Sequence, residues 1–454
     1  MRFRPGLLLI TSGALLAGAS NPVLWKEIAV PEAFLQSTLF DSQPLTFGGD
    51  IRVDDLDGDG EPEWVVFRST DKGMKPCFIG AFEMDGTVMW QVGEEGDQPA
   101  RPGSVTLYDF DGDGSDEVLH FWHDPAVDNP IDNMADVSVQ LRRGDNGALM
   151  RESRPALFAE CAGEGPNWVH QRLLVANLSG SSRAQEFVVK LGERLVAFDA
   201  SLKVIWHYRI QWNEYTKCSA YIPALGDIDG DGRDEITGGY YLVDDDGTVM
   251  WAEQLGRNMD SVAIVPWDEG TPRVIASGGG YVLDAAGDAL VHLGEDVVPH
   301  GQEVRVGDFR PELEGPEMVI RWNGHRNDAM MVGNDGSVLI RFKLNDSPNH
   351  TGLEAIFWQG TAAAPMIYNG GTLWNGKGEM VAQFPGLPAE PVGDFRRGWY
   401  HGIPLDVLGD DAEEVLLYNP WENVVRLYRA ETTDSSATKR FQPTARQYNA
   451  RLMD

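Results

Sequence analysis

Asp227-Ile228-Asp229-Gly230-Asp231-Gly232-Arg233-Asp234-Glu235 is one of three closely similar acidic nonapeptides in this chain. The others are Asp55-Leu56-Asp57-Gly58-Asp59-Gly60-Glu61-Pro62-Glu63 and Asp109-Phe110-Asp111-Gly112-Asp113-Gly114-Ser115-Asp116-Glu117. Carboxylates at loop positions 1, 3, 5 and 9 can converge on one hard cation, and glycine at positions 4 and 6 permits the tight turn. The expected calcium ligands are therefore Asp55, Asp57, Asp59 and Glu63; Asp109, Asp111, Asp113 and Glu117; and Asp227, Asp229, Asp231 and Glu235. The loop is too short for an EF-hand, and its flanks read as strands: Ile51-Arg52-Val53 before the first copy, Trp64-Val65-Val66-Phe67 after it. Each loop thus caps a β-hairpin.

With the flanks as a guide, degenerate copies emerge at Leu173 to Lys190, Val262 to Ser277, Val304 to Arg321, Leu353 to Tyr368 and Ile403 to Tyr418. Each unit carries a second hairpin, marked by Asp-Gly or Asn-Gly turns such as Asp85-Gly86, Asn146-Gly147, Asp246-Gly247 and Asp335-Gly336. Two hairpins make a four-stranded blade, and blade-length repetition makes a β-propeller. The reading is an all-β propeller of eight four-stranded blades, or seven if the terminal segments share a blade.

Composition narrows the partners. The formal net charge of −33 argues against nucleic acid, whose recognition needs a broad positive surface. Arg2 and Arg4, an apolar run from Gly6, and Ala17-Gly18-Ala19 read as a signal peptide over residues 1–19, leaving 20–454 as one propeller domain, secreted or periplasmic. The run is too short to span a bilayer, so no membrane insertion is expected. With three cysteines, at most one bridge can form within the chain, and three buried thiols are the alternative.

The acidic loops, each followed by a strand and an Asp-Gly hairpin, resemble those of FG-GAP and VCBS-type propellers. The stretch Gly226 to Ile236 is similar to the calcium loops of bacterial rhamnogalacturonan lyases, which are eight-bladed propellers, and the tail Arg446 to Asp454 resembles the end of such lyases. The resemblance implies a calcium-binding polysaccharide lyase acting on a rhamnose/uronate polymer. Other propeller lyases, ulvan lyases among them, place His, Tyr and Arg in the central funnel; no roles transfer from them residue by residue.

Strand order predicts two chemically different faces. The acidic loop and the second hairpin's turn share one face. The links into first strands and between hairpins share the other. Those links hold Trp168, His170, Trp212, Lys217, Tyr240, Arg257, His300, Arg305, Arg321, Trp322, Asn323, His325, Trp399, Tyr400 and His401. Of nine histidines, all but His207 and His292 fall there, His120, His123 and His350 included. Aromatic rings stack on sugar faces, and Arg and Asn read carboxylates and hydroxyls.

A lyase needs a base, a cation to neutralise the uronate, and an acid for the leaving oxygen. The candidate bases are His300, His170 and His325. Arg305 and Arg321 are candidates for neutralisation, and Tyr400 and Tyr240 for the acid. Trp168, Trp212, Lys217, Arg257, Trp322, Asn323, Trp399 and His401 are candidate substrate contacts. Two readings stay open beside it: a non-catalytic carbohydrate-binding or adhesion propeller, and a glycoside hydrolase. The latter would need paired carboxylates from a set limited to Glu214, Asp260, Glu303 and Glu354.

Overall fold

The computed structural model describes residues 20–34, 51–70, 75–94, 96, 103–123, 134–160, 172–212, 218–324, 326–345, 352–387, 401–418 and 424–432. These form eight four-stranded antiparallel sheets, the blades of a propeller. Blades 1 to 7 are each a continuous meander, their first strands being Ile51–Asp54, Val105–Tyr108, Leu174–Ala176, Ala224–Gly226, Val262–Asp268, Glu303–Gly307 and Glu354–Ile356. Blade 8 is composite. It takes His401–Leu405, Glu414–Tyr418 and Val424–Ala430 from the end of the chain, and Pro22–Ala29 from the start as its outermost strand. The terminal segments do share a blade, yet the count stays at eight, because each of the eight acidic or degenerate loops opens a blade of its own.

Burial follows the layering. Second strands such as Glu317–Arg321 and Glu414–Tyr418 are buried along their whole length, since a neighbouring blade covers each face. Fourth strands mix exposed and partly covered residues, as in Leu149–Ser153. Apolar clusters join each blade to the next around the ring. One packs Ile79 and Trp90 of blade 1 on Leu107 and Val118 of blade 2, and another closes the ring by packing Leu405 and Leu427 of blade 8 on Trp64 and Phe82 of blade 1. First strands of successive blades lie side by side and line the axis.

Two repeated clasps tie blades together on the acidic face. In the first, an aromatic side chain on a fourth strand lies over the turn glycine of the next blade. A Cβ on Gly147 would sit 2.6 Å from the Trp90 ring, and one on Gly247 2.9 Å from Trp206, whose Nε1 donates to Asp245 O at 2.7 Å. Both glycines also have positive φ, 69° and 88°, so the turn and the close approach make the same demand. In the second, position 8 of one loop bonds the backbone of the preceding loop. Asp116 N donates to Asp55 O and Asp234 N to Asn177 O, while Asn177 N donates back to the Asp234 carboxylate. The leader expected at residues 1–19 lies outside the described residues, and no described helix is long and apolar enough to cross a membrane.

Candidate functional site

The register of blade 6 shows which chemistry sits at which end. Glu303 pairs with Arg321 at one end of the first hairpin, and Gly307 with Glu317 at the loop end. Loop and second-hairpin turn share a face: Arg233 of the blade 4 loop reaches Asp245 of its turn at 2.7 Å, and Arg143 of the blade 2 turn approaches Asp113 of its loop at 3.7 Å.

On that face the carboxylates of positions 1, 3 and 9 converge. Ligand atoms of Asp55, Asp57 and Glu63 lie within 4.8 Å of one another, as do those of Asp109, Asp111 and Glu117, and of Asp227, Asp229 and Glu235. Position 5 is not in these sets. Asp59, Asp113 and Asp231 instead each accept the N–H two residues on, at 2.7, 3.0 and 2.9 Å. The buried glutamate at position 9 accepts a backbone N–H with Oε2, Leu56 N to Glu63 at 2.7 Å and Ile228 N to Glu235 at 2.8 Å. Its other oxygen, Oε1 of Glu63 and of Glu235, is buried without a hydrogen-bond donor. Burial pushes the Glu63 carboxyl up to about 9 despite the Leu56 N–H, with Asp57, Glu83 and Asp55 adding to it, and burial pushes Glu235 to about 7. An orphaned carboxylate oxygen inside a ring of like charges is a donor set that fits a hard divalent cation.

The blade 2 loop differs. Arg183, from the blade 3 loop, lies 3.9 Å from Asp109 and donates to Phe110 O at 3.1 Å. It presses on Gly112 so closely that a Cβ there would fall 1.7 Å from its Nη1.

The opposite face is built from contacts between links. His300 Nε2 meets the Asp260 carboxylate at 2.7 Å; the ring is 37% exposed and the carboxylate 6%. Asn258 Nδ2 donates to the other Asp260 oxygen at 2.6 Å, and Cys218 Sγ donates to Asn258 Oδ1 at 2.7 Å. The hydrogen bond to Asp260 raises the His300 pKa above the ordinary imidazole range, against desolvation and the charge of Arg257. The backbone of His300 bridges to Asn323, and Gly324 N donates to His300 O at 2.8 Å. Asn323 itself is held by Asp328 at 2.7 Å, and Trp322 carries Arg341 on its ring at 4.3 Å.

The other expected residues fall differently. Arg321 is wholly buried with Glu303 at 3.1 Å, and its guanidinium is shut away from any substrate carboxylate. Arg305 is 10% exposed and faces Glu354 at 3.3 Å. Tyr240 is buried; its hydroxyl donates to Arg257 O, and desolvation raises its pKa, which leaves it a poor acid for a bound sugar. Trp212 is half-buried, edge-on to Tyr240 at 6.1 Å, and Arg257 pairs with Glu295 at 2.9 Å on the surface. Trp168, His170, Lys217, His325, Trp399 and Tyr400, and the side chain of His401, lie outside the described residues. His120 and His123 prove to be buried. His120 accepts from Arg142 and bonds Phe121 O, and burial holds its pKa down at about 3. His123 and Lys75 both pair with Asp136. The sequence offers Asp260 only as a hydrolase carboxylate; its partnership with a histidine in the next link leaves no local mark.

No protein-family model matches the chain. It is 27% identical over 451 aligned residues to the rhamnogalacturonan exolyase YesX of Bacillus subtilis (strain 168), covering 86% of this chain and 72% of that protein. It is 26% identical over 262 residues to the rhamnogalacturonan endolyase YesW of the same organism, covering 49% of this chain and 42% of that one. Among solved structures, the Bacillus licheniformis rhamnogalacturonan lyase PL11 superposes with a TM-score of 0.63 at 21% identity, over 87% of this chain and 73% of that one. The superposition establishes the fold as a propeller of the same build, and the curated relatives are rhamnogalacturonan lyases of exo and endo type.

Proposed function

We propose that this chain is a secreted polysaccharide lyase acting on a rhamnose- and uronate-containing polymer, with calcium as a structural ion in its blade loops. The observation that carries the reading is the alignment with a rhamnogalacturonan exolyase over 86% of the chain. In the reaction a base removes the C5 proton of a uronate, the C4–O bond breaks, and a C4=C5 double bond forms. The departing oxygen takes up a proton, and no water is consumed. His300 is the proposed base. Arg257, whose charge bears on His300, and the exposed Arg326, two residues beyond Gly324, are the proposed guanidinium groups for neutralising the uronate carboxylate. Tyr400 is the proposed acid. The hydrolase reading is weaker, because Asp260, Glu303 and Glu354 are each engaged with His300, Arg321 or Arg305.

The deciding experiment incubates the purified protein with pectic rhamnogalacturonan, ulvan, gum arabic and alginate. A rise in the ultraviolet absorbance of an unsaturated uronate, lost in His300→Ala, supports the lyase. New reducing ends without absorbance would indicate hydrolysis, and binding without product a lectin.

A further inference from the structure

We infer that Asp260, oriented by Asn258 and Cys218, is the positioning residue that fixes the tautomer and basicity of His300. The inference rests on the reading of His300 as the base. Its geometry stands independently.

The hydrogen-bonded chain runs through three successive links on one face: Cys218 before blade 4, Asn258 and Asp260 before blade 5, His300 before blade 6. Donor chemistry gives it one direction. A carboxylate can only accept, so Asn258 must turn its NH2 toward Asp260 and its oxygen toward Cys218, where the thiol S–H donates. Asp260 then receives Asn258 Nδ2–H on one oxygen and His300 Nε2–H on the other. With the Nε2 proton committed, the lone pair resides on Nδ1. This is the arrangement by which a carboxylate holds a histidine base and stabilises the imidazolium formed when it takes a proton.

Gly324 packs beside the His300 ring, and a Cβ at that position would come 2.8 Å from Nδ1. The main chain of His300 is held on both sides, its N–H donating to Trp322 O at 3.3 Å and its carbonyl accepting from Gly324 at 2.8 Å. Met259 N also bonds Cys218 O at 3.0 Å, so backbone and side chains join the same two links. Among the described residues, the charges that shift His300 are Asp260 and, from the same link, Arg257. The Trp322-Asn323-Gly324 stretch against it brings no titratable side chain.

The test uses Asp260→Asn and Asn258→Ala in the full chain, with thermal midpoints to confirm folding. NMR of 15N-labelled imidazole reads the His300 tautomer and its titration directly, whether or not a substrate is known. In the wild type Nε2 should carry the proton, with a midpoint above that of an ordinary imidazole. In Asp260→Asn the midpoint should fall and the tautomer bias be lost. Asn258→Ala should lower the midpoint by a smaller amount. On a cleaved polysaccharide, Asp260→Asn should reduce kcat by about 10²- to 10⁴-fold with KM little changed, and move the acid limb of the pH–rate profile downward. An unchanged His300 midpoint and tautomer in Asp260→Asn overturns the inference, as does an unchanged kcat in an active enzyme. Absence of any lyase activity with the NMR shifts intact would instead remove the lyase reading and leave the His300–Asp260 pair standing.

Discussion

The two ends of each first hairpin satisfy their charges differently. At the loop end, partners are close in sequence and the pattern repeats. Glu63 bonds an N–H seven residues away, and Glu117 and Glu235 do the same. At the link end, among the described residues, some pairs lie within one hairpin, as Glu303 with Arg321, and others join successive blades. His300 and Asp260 are 40 residues apart, and Arg305 and Glu354 are 49. The loop end leaves buried carboxylate oxygens without a donor, which is where a cation belongs. The link end, among the residues described here, pairs its charges within the protein and keeps a half-open imidazole above a buried carboxylate. A repeated local device stabilises blades; a unique tertiary one is where selective chemistry can be built.

The largest effect should come from the link end. Glu303→Ala would leave the Arg321 guanidinium buried without its carboxylate, at a cost of about 3–5 kcal/mol in denaturant unfolding. The paired change Glu303→Leu with Arg321→Met should recover most of it. If the single change costs nothing, the network is not the rigid core of that face.

At the loop end, chelation should lower stability. Each cation site present at a hundredfold excess over its dissociation constant contributes about 2.7 kcal/mol. Metal analysis should find calcium, and Asp57→Asn should remove one equivalent. Calorimetry showing no change with chelator would break the contrast between the two ends.

Acid should act through His120. Its folded pKa, about 3, lies below the ordinary value near 6.5, so the unfolded chain binds the proton more readily. Its contribution is complete above the unfolded pKa and is lost as pH falls toward the folded one. The expected slope is about 1.4 kcal/mol per pH unit from this residue between those limits. His120→Asn should flatten the unfolding free energy measured between those limits.

The smallest effect distinguishes one loop from its siblings. Arg183 brings a fixed positive charge to Asp109, part-exposed and screened, so Arg183→Gln should raise calcium or terbium affinity of the blade 2 loop by about two- to fivefold. Terbium luminescence should show the other two loops unchanged.

These differences also explain what could be read from the sequence. The acidic loops are local, and so were the blade count, the hairpin turns and the assignment of faces. Even the degenerate Val304 to Arg321 unit is legible, because its strands keep their apolar pattern. Side-chain roles at the link end were not legible in the same way. Arg321 reads as a surface cation until register sets Glu303 opposite it. His120 reads as part of a reactive cluster until Arg142, 22 residues on, is seen to use it as an acceptor. Trp90 and Trp206 carry no sequence signal of their own, yet they cover the turn glycines of the next blade. In each case the deciding partner is supplied by tertiary structure and carries no local signature.

The ring's closure has a consequence in time. Glu27 and Arg426, which pair across the composite blade, are 399 residues apart. During synthesis at about 5–20 residues per second, the opening strand waits roughly 20 to 80 s for its partner to emerge. Throughout that interval blade 1 lacks the neighbour that covers Trp64 and Phe82, and the strand Pro22–Ala29 has an unmatched edge. Nascent chains are then exposed to pairing with one another, and an internal deletion of Val424–Ala430 should convert a closed disc into one that associates edge to edge.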